Sequence, residues 1–323
     1  MIGTDDKAEL DSIELDVIDD DEPALLNTDG KEDALDASHA GVRAGRFSDS
    51  YLMATNGGAT YEDVLRPSSG IDMPVDEESP PAPAPPTLMP SGGDEAGLQN
   101  VLGQDDRKLI RDTSRIPARS IGLVRISMAN GESRFGTAWL IGPRTLATAA
   151  HNLLHPTAGP ARRLDVALAY DGRIAQGGWH RVIDNHFPAV WRRNPDEDNP
   201  FDFAVLKIAN ANVGNRFGWL GFADYEDRKF ENMILNVFGY PLDNLTQHKY
   251  HLYGSAGRAT GIDENRIFFD CDAGPGMSGG PVIARFGEHR IAVGIHVAGG
   301  YPSNVATRLN DVAYGLLQRF RSW

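Results

Sequence analysis

From about Val101 onward the apolar residues fall in short runs rather than long helical stripes. IGLVRISM (121–128), FGTAWLI (135–141), RLDVALAY (163–170), FAVLKI (203–208), MILNVFGY (233–240), RIFFD (266–270), PVIARF (281–286) and IAVGIHVA (291–298) are rich in β-branched and aromatic residues. That composition suits a pleated, half-buried surface. Gly, Pro, Asn and Asp stand between the runs, as turns between strands require. Eight or more short strands with no long helix among them predict an all-β domain, built as antiparallel barrels or a sandwich. One helix is predicted at the end of the chain. Asn310 stands as its N-cap, and Val312, Ala313, Leu316, Leu317 and Phe320 form one apolar face.

Upstream of Val101 the pattern changes. Residues 1–78 are acidic and lack long apolar periods, and only the stretch from Ser48 to Leu65 carries a cluster of aromatic and apolar residues. Residues 79–100 open on the Pro-rich run SPPAPAPPTLMPSGG, whose composition predicts an extended linker. The chain therefore divides into an acidic regulatory or pro-segment (1–78), a Pro/Gly-rich linker (79–100) and a folded domain (101–323).

Charge follows the same division. Residues 1–100 hold 23 acidic and 5 basic side chains, a net of −18, whereas residues 101–323 hold 22 and 26, a net of +4. The acidity belongs to the arm, which a regulatory partner or activating protease could read. A net of +4 on the domain gives no electrostatic footprint for nucleic acid. The single cysteine, Cys271, excludes an intrachain disulfide and fits a reducing compartment. The first residues, MIGTDDKAELDSIELDVIDD, have neither the basic nor the apolar part of a secretory signal. No apolar run reaches the roughly 20 residues of a membrane span. A cytoplasmic protein is expected, or a secreted one if a leader is missing from the sequence.

Three short motifs carry chemistry. TAAH ends at His151, DFAVLKI begins at Asp202, and GMSGGP centres on Ser278, with gaps of 51 and 76 residues. A serine hydroxyl needs a neutral imidazole to take its proton, and the imidazole needs a carboxylate to fix its tautomer. Gly276 lets the backbone turn so that the N–H groups of Gly276 and Ser278 converge on a developing oxyanion. Each motif alone has an ordinary reading: a solvated Ser in a Gly-rich turn, a core histidine, a strand-capping Asp. In this order, embedded in strand-like runs, they point to acyl transfer by a serine hydrolase. Asp196, Glu197 and Asp198 are rival carboxylates but sit in a polar loop. HNLLH (151–155) has metal-like helical spacing, yet it lacks the Glu of HExxH and a third ligand, so no metal and no cofactor is expected.

With these residues in hand, the chain resembles the trypsin/chymotrypsin-like serine proteases and, more narrowly, the bacterial glutamyl endopeptidases. CDAGPGMSGGPV resembles that family's approach to its nucleophile. GIHVAGG puts His296 where those enzymes carry a histidine in the specificity pocket, with Val297 and Gly299 beside it as candidate substrate contacts. VLGQDDRKLIRDTS resembles the start of the mature enzymes, including Asp106 and Arg107. The resemblance covers about residues 101–323. It implies two six-stranded β-barrels with the catalytic groups between them, a C-terminal helix, and a serine endopeptidase acting on protein or peptide substrates. It also implies a candidate processing site between Asn100 and Val101.

Two features leave the specificity open. Ala273 stands where the family usually has a Thr or Ser that helps bind a glutamate side chain. Asp272 lies six residues before Ser278, where trypsin-like relatives carry the Asp that selects Arg or Lys. An acidic residue before the scissile bond is favoured slightly over a basic one. Met277 replaces the Asp that pairs with a new N-terminal amine in trypsin-like zymogens, so that ion pair cannot form. A catalytically silent binding module that uses the acidic arm to hold a partner is the alternative function.

Overall fold

The computed structural model describes residues 101–323 apart from 197, 226, 228–229, 231–232, 244–245, 247, 287–288 and 301. The acidic arm, the linker, Asn100 and Glu197 lie outside the described residues.

Two closed antiparallel barrels follow one another along the chain. The first is made from β2 (Ile121–Met128), β3 (Ser133–Leu140), β4 (Thr145–Thr148), β6 (Gly159–Leu168), β7 (His180–His186) and β8 (Ala204–Ile208), and pairing of β2 with β6 closes it. A two-residue strand, β5 (Leu154–His155), is added at the edge of β6. The second is made from β9 (Ile234–Gly239), β10 (Tyr253–Ile262), β11 (Arg266–Phe269), β12 (Pro281–Phe286), β13 (His289–Ala298) and β14 (Asn304–Arg308), and pairing of β9 with β10 closes it. The short β1 (Lys108–Leu109) lies along β10, which ties the start of the domain to the second barrel. Among the described residues, closure leaves no long sheet edge open to association.

Alternation within the strands fills each barrel. Val124, Leu140, Leu146, Leu164, Leu206, Trp191 and Phe187 pack inside the first. Leu235, Val237, Ile267, Phe269, Val282 and Val293 pack inside the second. Each large side chain that leaves water contributes about 1.5–3 kcal/mol. A third cluster fills the seam between the barrels and includes Trp139, Phe203, Phe238, Tyr240 and Leu252. Two five-residue helices, α1 (Ala189–Arg193) and α2 (Val213–Phe217), sit in the connections around the first barrel. Among the described residues no helix is long and apolar enough to cross a membrane.

The closing helix, α3 (Asp311–Phe320), starts where the capping pattern predicts. The Asn310 side chain accepts from the Val312 and Ala313 N–H groups, each at 3.1 Å, and so satisfies two of the first-turn donors. Its apolar face joins the seam cluster. Its far end is bonded to the first barrel: the Thr145 hydroxyl donates to the Phe320 carbonyl (3.0 Å) and Arg144 Nε to the Trp323 carbonyl (2.8 Å). Phe320 stacks on His186 with ring centres 4.3 Å apart.

Candidate active site

The seam between the barrels is where the three motifs meet. β4 and β8 are neighbours, with Thr148 opposite Ala204. The chain leaving β4 enters a single 3-10 turn, Ala150–Asn152, that carries His151. The chain entering β8 carries Asp202. The strand pairing thus brings together two residues 51 positions apart. The His151 backbone N–H donates to Asp202 Oδ1 at 2.9 Å, and its ring Nδ1 lies 2.6 Å from Oδ2. One carboxylate therefore anchors both the main chain and the imidazole. Asp202 is nearly buried, and Thr307 Oγ1 of β14 donates to its carbonyl at 3.1 Å. With Nδ1 holding its proton toward Asp202, Nε2 is left as the acceptor.

Ser278 sits on the turn before β12. Its carbonyl accepts from the Thr137 N–H (2.9 Å) and from Nδ2 of Asn152 (3.2 Å), the residue next to His151. This couples the Ser278 turn to β3 and to the histidine turn at once. Gly276 has φ +93°, and a Cβ there would lie 2.5 Å from the Tyr240 carbonyl. Gly279 has φ +89°, and a Cβ would run into the Thr137 carbonyl. Only glycine tolerates both conditions. Among the described residues no backbone carbonyl is bonded to the N–H of Gly276 or of Ser278. Thr137 Oγ1 accepts from the Tyr240 N–H (3.1 Å) and donates to the Gly276 carbonyl (2.9 Å), which pins the turn from the opposite side.

The residues that the resemblance assigns to specificity separate into two places. His296, in β13, is 1% exposed, and its Nδ1 has no hydrogen-bond partner among the described residues. Burial first, then the nearby His151 charge, push its pKa down to about 4 against an opposing hydrogen bond to the Val305 backbone. It is therefore neutral at neutral pH. Val297 and Gly299 follow it, half-buried. Asp272 lies elsewhere in character: its Oδ1 accepts from the Leu102 N–H (2.6 Å) and its Oδ2 from the Asp106 N–H (2.9 Å). Asp272 thus binds the segment that begins at Val101. Ala273 is fully buried in the second barrel's core.

That segment is held by further groups that no motif announces. Ser255 donates to Asp106 Oδ1 (2.9 Å). Burial first, then the Asp272 carboxylate, push the Asp106 pKa up to about 7. Arg107 has a wholly buried side chain and bridges Asp105 (2.7 Å) and Asp243 (2.5 Å). His155 Nε2 lies 2.8 Å from Arg134.

Two closed barrels with a His–Asp pair and a glycine-framed serine at their seam define a chymotrypsin-like serine protease. Comparison with known proteins gives the same class. A family described as trypsin-like peptidase domain matches residues 136–295. The chain is 24% identical over 233 residues to a glutamyl endopeptidase of Bacillus licheniformis, covering 70% of this chain and 69% of that protein. A solved Glu endopeptidase in complex with MPD superposes with a TM-score of 0.61 at 21% identity, over 69% of this chain and 100% of its own. Protease Anisep from Arthrobacter nicotinovorans gives a TM-score of 0.56 at 17% identity, over 67% and 100%. This chain belongs to the trypsin-like serine proteases.

Proposed function

We propose that the protein is a serine endopeptidase that cuts after an acidic residue. Ser278 Oγ attacks the scissile carbonyl carbon while His151 Nε2 takes its proton. The N–H groups of Gly276 and Ser278 accept the charge that develops on the carbonyl oxygen. His151, held as imidazolium by Asp202, then protonates the leaving amine as the C–N bond breaks. A water, deprotonated by the same nitrogen, releases the acyl group as a carboxylic acid and restores Ser278. The observation that carries this reading is the double hold of Asp202 on His151 beside the Ser278 turn.

The acidic preference rests on what each pocket group is doing. Asp272 already accepts two backbone N–H groups, so a cationic side chain would have to compete with the chain's own segment. His296 is buried with Nδ1 unpartnered among the described residues, a condition that costs roughly 1–3 kcal/mol. A substrate carboxyl supplies both a partner and a charge that favours imidazolium. The contacts of Asp106, Arg107 and β1 further support the start of the domain as a regulated element, with residues 1–100 removed or displaced by another protein.

Cleavage of a peptide library by protein beginning at Val101, with Ser278→Ala as control, tests the reading. Cuts after Glu or Asp are expected. Cuts after Arg or Lys would overturn the acidic preference. Absence of Ser278-dependent labelling by a fluorophosphonate would overturn the endopeptidase in favour of a binding module.

A further inference from the structure

One cluster of titratable side chains borders the catalytic groups without entering the reaction. Arg134, near the start of β3, places a guanidinium nitrogen 2.8 Å from His155 Nε2. The His155 ring stands edge-on to His151, with centres 6.3 Å apart and planes at 89°. Burial first, then the Arg134 and His151 charges, push the His155 pKa down to about 4. Its Nδ1 accepts from the Thr157 and Ala158 N–H groups (3.2 and 3.3 Å) and lies 3.2 Å from the Thr157 hydroxyl, so the chain that follows fixes the ring beside Arg134. The neutral histidine therefore stands against the cation without adding charge.

The strand pleat explains why this cation faces the histidine turn. Residues 134 and 136 share one face of β3, and 135 and 137 the other. A Cβ at Gly136 would collide with the Asn152 side chain, 2.6 Å away, so that face looks onto the segment 151–155. On the opposite face Phe135 meets Tyr250 edge-on, with ring centres 5.1 Å apart.

The nucleophile turn also has two flanks. On one, Gly279 N–H donates to the His296 carbonyl (2.7 Å) and His296 N–H to the Gly280 carbonyl (2.9 Å). On the other, Thr137 N–H holds the Ser278 carbonyl (2.9 Å). A peptide whose acyl residue lies by His296 must carry its leaving amine to His151 Nε2, and the residues beyond that amine then run along β3. Arg134 is three positions from Thr137 on that strand.

We propose that Arg134, packed against His155, is a specificity-determining residue for the segment after the scissile bond and selects an acidic side chain there. Arg134 also contacts Glu132 (3.2 Å), but the Glu132 side chain is 46% accessible and that of Arg134 27%. An exposed pair of this kind is weak, and a substrate carboxylate can take the place of Glu132. The proposal rests on the endopeptidase reading above and adds the opposite side of the cleft to it.

The test uses quenched fluorescent peptides that share the acyl residue the library prefers and carry Glu, Ala or Lys at the first two positions after the cut. The ratio of kcat/KM for Glu over Ala is expected to be about 5-fold in wild type. Arg134→Ala should bring it to about 1, Arg134→Lys should keep part of it, and Arg134→Glu should turn it toward the Lys peptide. Because the ratio is internal to each variant, a partial loss of folded protein does not change it. A Glu-to-Ala ratio that survives in Arg134→Ala would overturn the proposal. Wild-type hydrolysis of the matching p-nitroanilide, which has no residue after the cut, reports the chemistry alone. If wild type cuts neither the anilide nor the peptides, the endopeptidase reading falls and this one with it. If it cuts the anilide and shows no Glu preference, only this one falls.

Discussion

In the first barrel, the polar groups of the cleft stand at the ends of two adjacent strands and are tied by one pair, His151 with Asp202. In the second, they stand on a glycine turn, and a nearby pair of carboxylates, Asp106 and Asp272, grips the start of the domain. The first arrangement follows from the strand register: once β4 and β8 pair, the histidine and aspartate can only be neighbours. The second depends on backbone conformations that few residues adopt and on how a shared pocket of negative charge is protonated. Orientation of His151 is therefore built into the sheet. Shape of the Ser278 turn is conditional on its surroundings.

The largest effect should come from the strand-end pair. Asp202→Asn keeps the shape but removes the charge that holds the Nδ1 proton, and kcat is expected to fall about 10⁴-fold in stopped peptide assays, with far-UV circular dichroism unchanged. Next comes the turn. Gly276→Ala must leave positive φ or push on the Tyr240 carbonyl. A loss of about 100- to 1000-fold in kcat is expected, with fluorophosphonate labelling slowed in parallel. A normal rate in either variant would break the division drawn between the barrels.

The carboxylate pair sharpens it through pH. Burial first, then the Asp272 carboxylate, raise Asp106 from the ordinary carboxylate value of 3.8 to about 7 in the folded state, so the folded state binds the proton more tightly than the unfolded state. Its stabilising share is present below pH ~3.8 and is lost as pH rises through ~7. Asp106→Asn fixes the uncharged form. The melting temperature of this variant minus that of wild type should grow between pH 4 and 8; a constant difference would remove Asp106 as the titrating group. The smallest effect is at the helix start, where Asn310→Ala should cost about 1 kcal/mol in urea unfolding and leave kcat unchanged.

Much of this plan can be read along the chain, for physical reasons. IGLVRISM matches β2 residue for residue, because the strand is mostly buried and carries the β-branched Ile121, Val124 and Ile126. The helix start is legible because an Asn cap acts locally. β7, HRVIDNH, and β10, YGSAGRATGI, escape an apolar scan: the first alternates with charged residues, the second has small residues and glycines that let neighbours approach. β4 has only four residues, too few for a period, and β14 is mostly polar along its length. In the site, His151, Asp202 and Ser278 stand in recognisable strings. Thr137, Asn152 and Tyr240 do not, since their value lies in hydrogen bonds across 100 or more residues, such as Asn152 to Ser278. The occupation of Asp272 by Leu102 and Asp106 is likewise invisible until the chain has folded back on itself.

The bonds from Thr145 and Arg144 to the last residues have a consequence for biosynthesis. The helix that finishes the second barrel is also the strap that fastens the first. A nascent chain that has not yet emerged past Asp311 can pair its early strands, but the greasy groove later filled by Leu316, Leu317 and Phe320 stays wet. Alignment of the two halves of the cleft therefore leans on residues that the ribosome delivers late.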